Sequence, residues 1–136
     1  MNRIKVSDNF YLDEFQDRNT GEVKIDERLI IVLQEIRNTI GKPIIITSGY
    51  RTMKTHIEIY KKKYGDHWED KIPYHSKHLK GLAVDMNILG GNYLDYMTAI
   101  DIAKKSGVIK GIGNGIKSGF IHLDTRNSNI IIEWKY

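Results

Sequence analysis

Between residues 75 and 85, the stretch "HSKHLKGLAVD" gathers two histidines and an aspartate around a short apolar run. Taking imidazole and carboxylate groups out of water at the edge of a buried strand is costly unless something pairs with them, and a divalent metal is one such partner. His78 and Asp85 lie seven positions apart with Gly81 between them, so a loop-to-strand turn can aim both at one point. His122 can join them only from a neighbouring strand. A His, Asp, His set leaves the fourth tetrahedral position of a zinc ion free for water, the open arrangement of a catalytic site. The chain has no cysteine, so any metal must be held by nitrogen and oxygen ligands. The helical H-E-x-x-H signature is absent. Spacing alone also fits hydrogen-bonded histidines at a strand rim, and both readings stand at this point.

The elements that must position these groups follow from periodicity. In "IDERLIIVLQEIRNTIG", Leu29, Leu33, Ile36 and Ile40 recur at helical spacing, Asp26 can cap the start, and Gly41 with Pro43 marks the stop. "PIIITS" then reads as a buried strand whose end delivers Ser48, Tyr50 and Arg51 to a loop. "TMKTHIEIYKKKYG" is an amphipathic helix with Met53, Ile57 and Tyr60 on one side, ended by Gly65, and "DHWEDKIPYHSKH" reads as a surface loop. "GLAVDMNI" is a strand and "YLDYMTAIDIAKKSG" a second long helix, while "GVIKGIG", "GFIHLD" and "NIIIEW" are further strands between turn residues. Helices gathered early and strands late predict an α+β domain, its central sheet mainly antiparallel with flanking helices. At 136 residues and 40% hydrophobic composition, residues 1–136 are expected to form a single domain.

The formal charge of +4 is modest and its lysines are spread, apart from "YKKKY" at 60–64. Nucleic acid, anionic wall polymers and acidic lipid would all suit this balance, but a solvated lysine-rich helix face is the simpler account. No nucleic-acid-binding motif accompanies the charge, and no apolar run approaches a membrane span, so neither nucleic acid nor membrane insertion is expected. "MNRIKVSDNF" lacks an apolar core and cleavage site, which predicts cytoplasmic synthesis without an export signal.

The run "SKHLKGLAVD" resembles the S-x-H-x-x-G-x-A-x-D motif of the M15 family of zinc D-alanyl-D-alanine peptidases. "IIITSGYRT" is similar to the family's strand and S-G-Y-R segment, and "GIGNGIKSGFIHLDTR" to its downstream G-[IV]-G and F-[IV]-H-x-D-x-R segment. Three motifs in the right order cover the chain from about residue 24 to "EWKY". The compact group found among phage lysins and bacterial wall peptidases is the nearest in flavour, and its fold is the one shared with hedgehog domains.

The resemblance implies that His78, Asp85 and His122 bind Zn2+, that Arg51 faces the scissile carbonyl, and that Ser76, Ser48 and Tyr50 contact substrate. Without the motif, Arg51 reads equally as a surface ion pair. Asp124, two residues beyond His122, would share its sheet face and is a candidate partner for a ligand imidazole or for Arg126. The general base is open. Several family branches carry an acid three positions before the last histidine, where this chain has Gly119, and the candidates here are His75, Asp124 or an acid such as Glu58. Gly115 also stands where related sequences often carry tyrosine. His56 and His67 fall outside the metal motif.

The implied activity is zinc-dependent hydrolysis near D-alanine in peptidoglycan stem or cross-bridge peptides, as a D,D- or L,D-carboxypeptidase or endopeptidase, with a monomer favoured. A phage enzyme reaching the wall after holin release, or as part of a virion, fits this expectation. The alternative is a non-catalytic zinc-containing wall-binding or structural module of the same fold.

Overall fold

The computed structural model describes residues 3–136. Helix α1, Glu27–Ile40, starts where the Asp26 carboxylate accepts the Arg28 backbone N–H at 3.0 Å. It ends at Gly41, whose φ of 73° turns its N–H back onto the Arg37 carbonyl. Pro43 prevents continuation and the β-branched run after it forms β3, Ile44–Ser48. Two short strands precede α1: β1, Lys5–Ser7, and β2, Phe10–Tyr11, an antiparallel pair that the sequence pattern did not reveal. They seat Phe10 against Phe15 in the core.

After β3 come α2, Met53–Tyr64, and a one-turn helix α3, Trp68–Lys71. The segment expected to be a plain surface loop therefore carries helical turns at 65–67, 68–71 and 77–80. Its runs are too short to show a helical period, which is why composition read it as loop. Strand β4, Ala83–Ile88, leads into α4, Tyr93–Lys105, followed by β5, Gly111–Gly115, β6, Phe120–Asp124, and β7, Ile132–Lys135.

The fold is α+β, with a five-stranded sheet in the order β3-β4-β6-β5-β7. Its pairs are antiparallel except β5 with β7, which run parallel. Side chains alternate across it. Val84, Met86, Ile88, Ile121, Leu123 and Ile112 lie in the hydrophobic core with the apolar faces of α1 and α4. The opposite face carries the polar groups. Ser48, Asp85, His122, Gly113 and Trp134 are paired in register from one edge of the sheet to the other, so they form one row on that face.

Candidate metal centre

That row is what brings the distant ligand candidates together. Asp85 Oδ1 stands 3.0 Å from His122 Nδ1 and 3.3 Å from His78 Nε2. Among the described residues, these three side chains form a group whose ligand atoms all lie within 4.8 Å of one another. Ligands of a tetrahedral zinc with bonds of about 2.0–2.1 Å sit roughly 3.3 Å apart, so the donor set fits that ion.

Each imidazole is oriented by a partner on the nitrogen it turns away from Asp85. His78 Nδ1–H donates to the Gly49 carbonyl at 2.8 Å, leaving Nε2 free as a ligand atom. His122 Nε2–H donates to Asp124 Oδ2 at 2.8 Å, leaving Nδ1. Asp124 is itself held by Arg126, whose Nε and Nη2 reach its two oxygens at 2.8 and 2.7 Å. Gly111, paired opposite Asp124, supplies the room, because a Cβ there would overlap the carboxylate.

Burial pushes the Asp85 carboxyl up, but hydrogen bonds and charge from His122 and His78 outweigh it and hold the group well below the usual carboxylate range. Burial also pushes His78 down. In His122 the bonds to Asp124 and Asp85 outweigh burial and raise the imidazole.

His78 is aimed by the turn at 77–80, closed by Gly81 at φ 71°. At Gly81 a Cβ would approach the Lys24 carbonyl to 2.5 Å, so close packing beside this turn leaves no room for a side chain. Arg51 lies beside the ligands: its backbone N–H donates to the His78 carbonyl at 3.1 Å, its Nε to Ser48 Oγ at 3.2 Å, and its Nη2 is 3.9 Å from Asp85 Oδ2. Burial lowers the guanidinium's affinity for its proton without threatening its charge.

The ligands open onto a cleft of about 880 Å³ whose walls include Arg51, Tyr60, His75, Ser76, Phe120 and Trp134. Arg51, Lys63, Lys77 and Arg126 line it, and Asp85 is its one carboxylate among the described residues. Of the residues singled out from sequence, Ser76 and the exposed His75 are at the cleft rim. Ser48 is bonded to Arg51, whereas Tyr50 lines a neighbouring groove of about 340 Å³. Asp124 is fully buried behind His122, both oxygens engaged. Glu58 is outside the cleft, accepting from Asn19 Nδ2 at 2.9 Å.

Two contributions were missed. Trp134 packs against the His122 ring, tilted at 49° with centroids 5.2 Å apart, reaching across Gly113, where a Cβ would meet the indole at 2.8 Å. The Arg126 guanidinium lies 5.2 Å from the centroid of the same Trp134 ring. His56, outside the metal motif, is fully buried against Arg51.

Residues 3–130 match a family model of M15 peptidases described as peptidoglycan L,D-endopeptidase MepK. The peptidoglycan L,D-endopeptidase MepK of Escherichia coli strain K12 is 30% identical over 114 residues, covering 82% of this chain and 57% of that protein. The proteins of the same description from Escherichia coli O157:H7 and Shigella flexneri give the same 30% identity and coverage. The chain thus spans a little over half the length of these relatives.

Proposed function

From the premise that this chain belongs to the M15 peptidase family, we propose that it is a zinc peptidase hydrolysing peptide bonds in peptidoglycan, with His78, Asp85 and His122 as the metal ligands. The observation that supports this most directly is the convergence of those three side chains, each imidazole oriented by a second partner, on a cleft. Held by these three side chains, zinc would supply Lewis acidity toward water and the scissile carbonyl. The description of the relatives favours an L,D bond.

The chain's own residues do the rest. Arg51, half-buried and fixed by Ser48 and His78, offers guanidinium donors to negative charge developing on the scissile carbonyl oxygen. Arg51, Lys63 and Lys77 on the cleft walls, beside an Arg126 already paired with Asp124, suit a stem peptide, which carries free carboxylates. Ser76 at the rim is placed to hydrogen-bond the peptide backbone. Asp124 orients His122 and, with both oxygens engaged, is not free to collect a proton from the cleft. His75, exposed at the rim, is the general base and acid we assign in place of the acid that Gly119 lacks.

The test is to incubate the zinc-loaded protein with purified cross-linked muropeptides and read products by mass spectrometry. A mass gain of one water across an L,D linkage, lost in His122→Ala together with the metal, is the expected result. Wall binding without hydrolysis would replace this reading with the non-catalytic module.

A further inference from the structure

His56 stands in the first turn of α2, five residues after Arg51, and a helix aims such a side chain back over its N-terminus. The ring is fully buried, and each of its nitrogens has one partner: Nδ1 lies 3.1 Å from Arg51 Nη1, and Nε2 lies 2.9 Å from the Pro73 carbonyl oxygen. A guanidinium can only donate and a carbonyl can only accept. The imidazole is therefore neutral, with its proton on Nε2 and its lone pair on Nδ1 facing Arg51. We propose that His56 is a positioning residue: it holds the Arg51 guanidinium toward Asp85 and ties it to the cleft wall at Pro73, through the single tautomer these two partners enforce. The inference rests on the assignment of Arg51 as the group facing the scissile carbonyl.

Burial lowers the pKa of His56, and although the bond to Pro73 raises it, the Arg51 charge adds to the lowering, in keeping with a neutral ring beside a cation. Tyr60, its ring 5.0 Å away, closes the side of the imidazole toward the cleft. Pro73 precedes His75 and Ser76 by two and three positions, so the same ring couples the arginine to the rim that carries the proposed base. Losing the Nδ1 acceptor would free one edge of the guanidinium, and displacement of such a group by about 1 Å costs roughly a hundredfold in rate.

Two amides separate the ring's two jobs. The Asn side-chain oxygen falls where Nδ1 stands and can accept from Arg51; the Gln amide nitrogen falls near Nε2 and can donate to Pro73. On cross-linked muropeptides, His56→Ala is expected to lower kcat about 10–100-fold with little change in KM. His56→Asn should recover most of that loss and His56→Gln little of it, and in an Arg51→Gln background His56→Ala should cost nothing further. Equal rescue by both amides, or an undiminished cost in the Arg51→Gln background, would overturn the proposal. A readout independent of turnover is the ¹⁵N spectrum of the imidazoles. His56 should show protonated Nε2 and bare Nδ1 from pH 5 to 8, with the Nδ1 resonance moving in Arg51→Gln. An inactive wild type defeats the peptidase reading alone, and the spectrum then decides: the opposite tautomer, or an Nδ1 signal blind to Arg51, ends the proposal.

Discussion

His122 lies between two carboxylates, its Nδ1 3.0 Å from Asp85 and its Nε2 2.8 Å from Asp124, and the two have different work. Asp85 is on the cleft side beside His78, while Asp124 is sealed behind the ring and clamped by Arg126. One carboxylate is a ligand candidate; the other sets which nitrogen the ring presents.

Asp124→Asn should therefore weaken zinc binding without touching a ligand. The amide keeps the size but is a poorer acceptor for Nε2–H and leaves Arg126 without its counter-charge. An affinity about 10–100-fold lower is expected, measured by competition with a chromophoric chelator. Unchanged affinity would show that the orientation of His122 does not depend on this bond.

Asp17 governs the other side of the site. Its buried carboxylate accepts from the backbone N–H groups of Asn19, Thr20 and Thr52 at 2.8, 2.9 and 2.8 Å, and from the hydroxyls of Thr52 and Thr55 at 3.1 and 2.9 Å. It thereby ties the chain before α1 to the start of α2, next to Arg51. Burial pushes this carboxyl up, but the five bonds outweigh burial and hold it well below the usual range. Because the folded-state value lies below the unfolded one, the stabilisation is complete above about pH 4 and is lost as pH falls through the folded value. Asp17→Ala should cost about 2–4 kcal/mol at neutral pH, and its stability should fall less steeply than wild type on acidification. Urea unfolding across pH 2–7 checks both.

Gly81→Ala combines two penalties. The residue sits at φ 71°, and its Cβ would meet the carbonyl of Lys24, which is backbone and cannot swing away. The Gly81 carbonyl also accepts the Asp26 N–H at 2.8 Å, so a shift here disturbs the start of α1 as well as His78. A loss of at least about 2 kcal/mol is expected from thermal unfolding, together with weaker zinc binding. An alanine variant with wild-type stability would mean the turn relaxes freely.

Much of the site was legible because it is local. Asp26, Gly41 and Pro43 punctuate one helix, and Ser76 to Asp85 form one turn running into one strand, so residue types at fixed spacing carry the information. His122 was placed by its motif, and the cross-strand register with Asp85 is the reason the motif works. What sequence could not show depends on contacts between elements. The partner of His56 is Pro73, 17 residues on in a segment without periodicity. The parallel pairing of β7 with β5, and the reach of Trp134 across Gly113, depend on a strand order that alternation does not specify. In the sequence Asp17 is one acid in a polar stretch, and only the folded chain brings five donors to it.

Trp134 offers a test of the metal centre that needs no substrate. The chain has two tryptophans, and Trp134 is the one packed against a ligand candidate, 5.2 Å between ring centroids, whereas Trp68 lies in α3 with Lys61 5.1 Å over its ring. Removing Trp68 as Trp68→Phe leaves an emitter in direct contact with the His122 imidazole. Copper(II) or nickel(II), which bind imidazole readily, should quench that emission stoichiometrically, and zinc should compete the quenching away. Trp134→Phe, emitting from Trp68 alone, should respond much less, and His122→Ala in the Trp68→Phe background should abolish the high-affinity phase. Because the readout reports occupancy next to one ring, quenching that survives His122→Ala would place the metal elsewhere and remove the support for the three-ligand site.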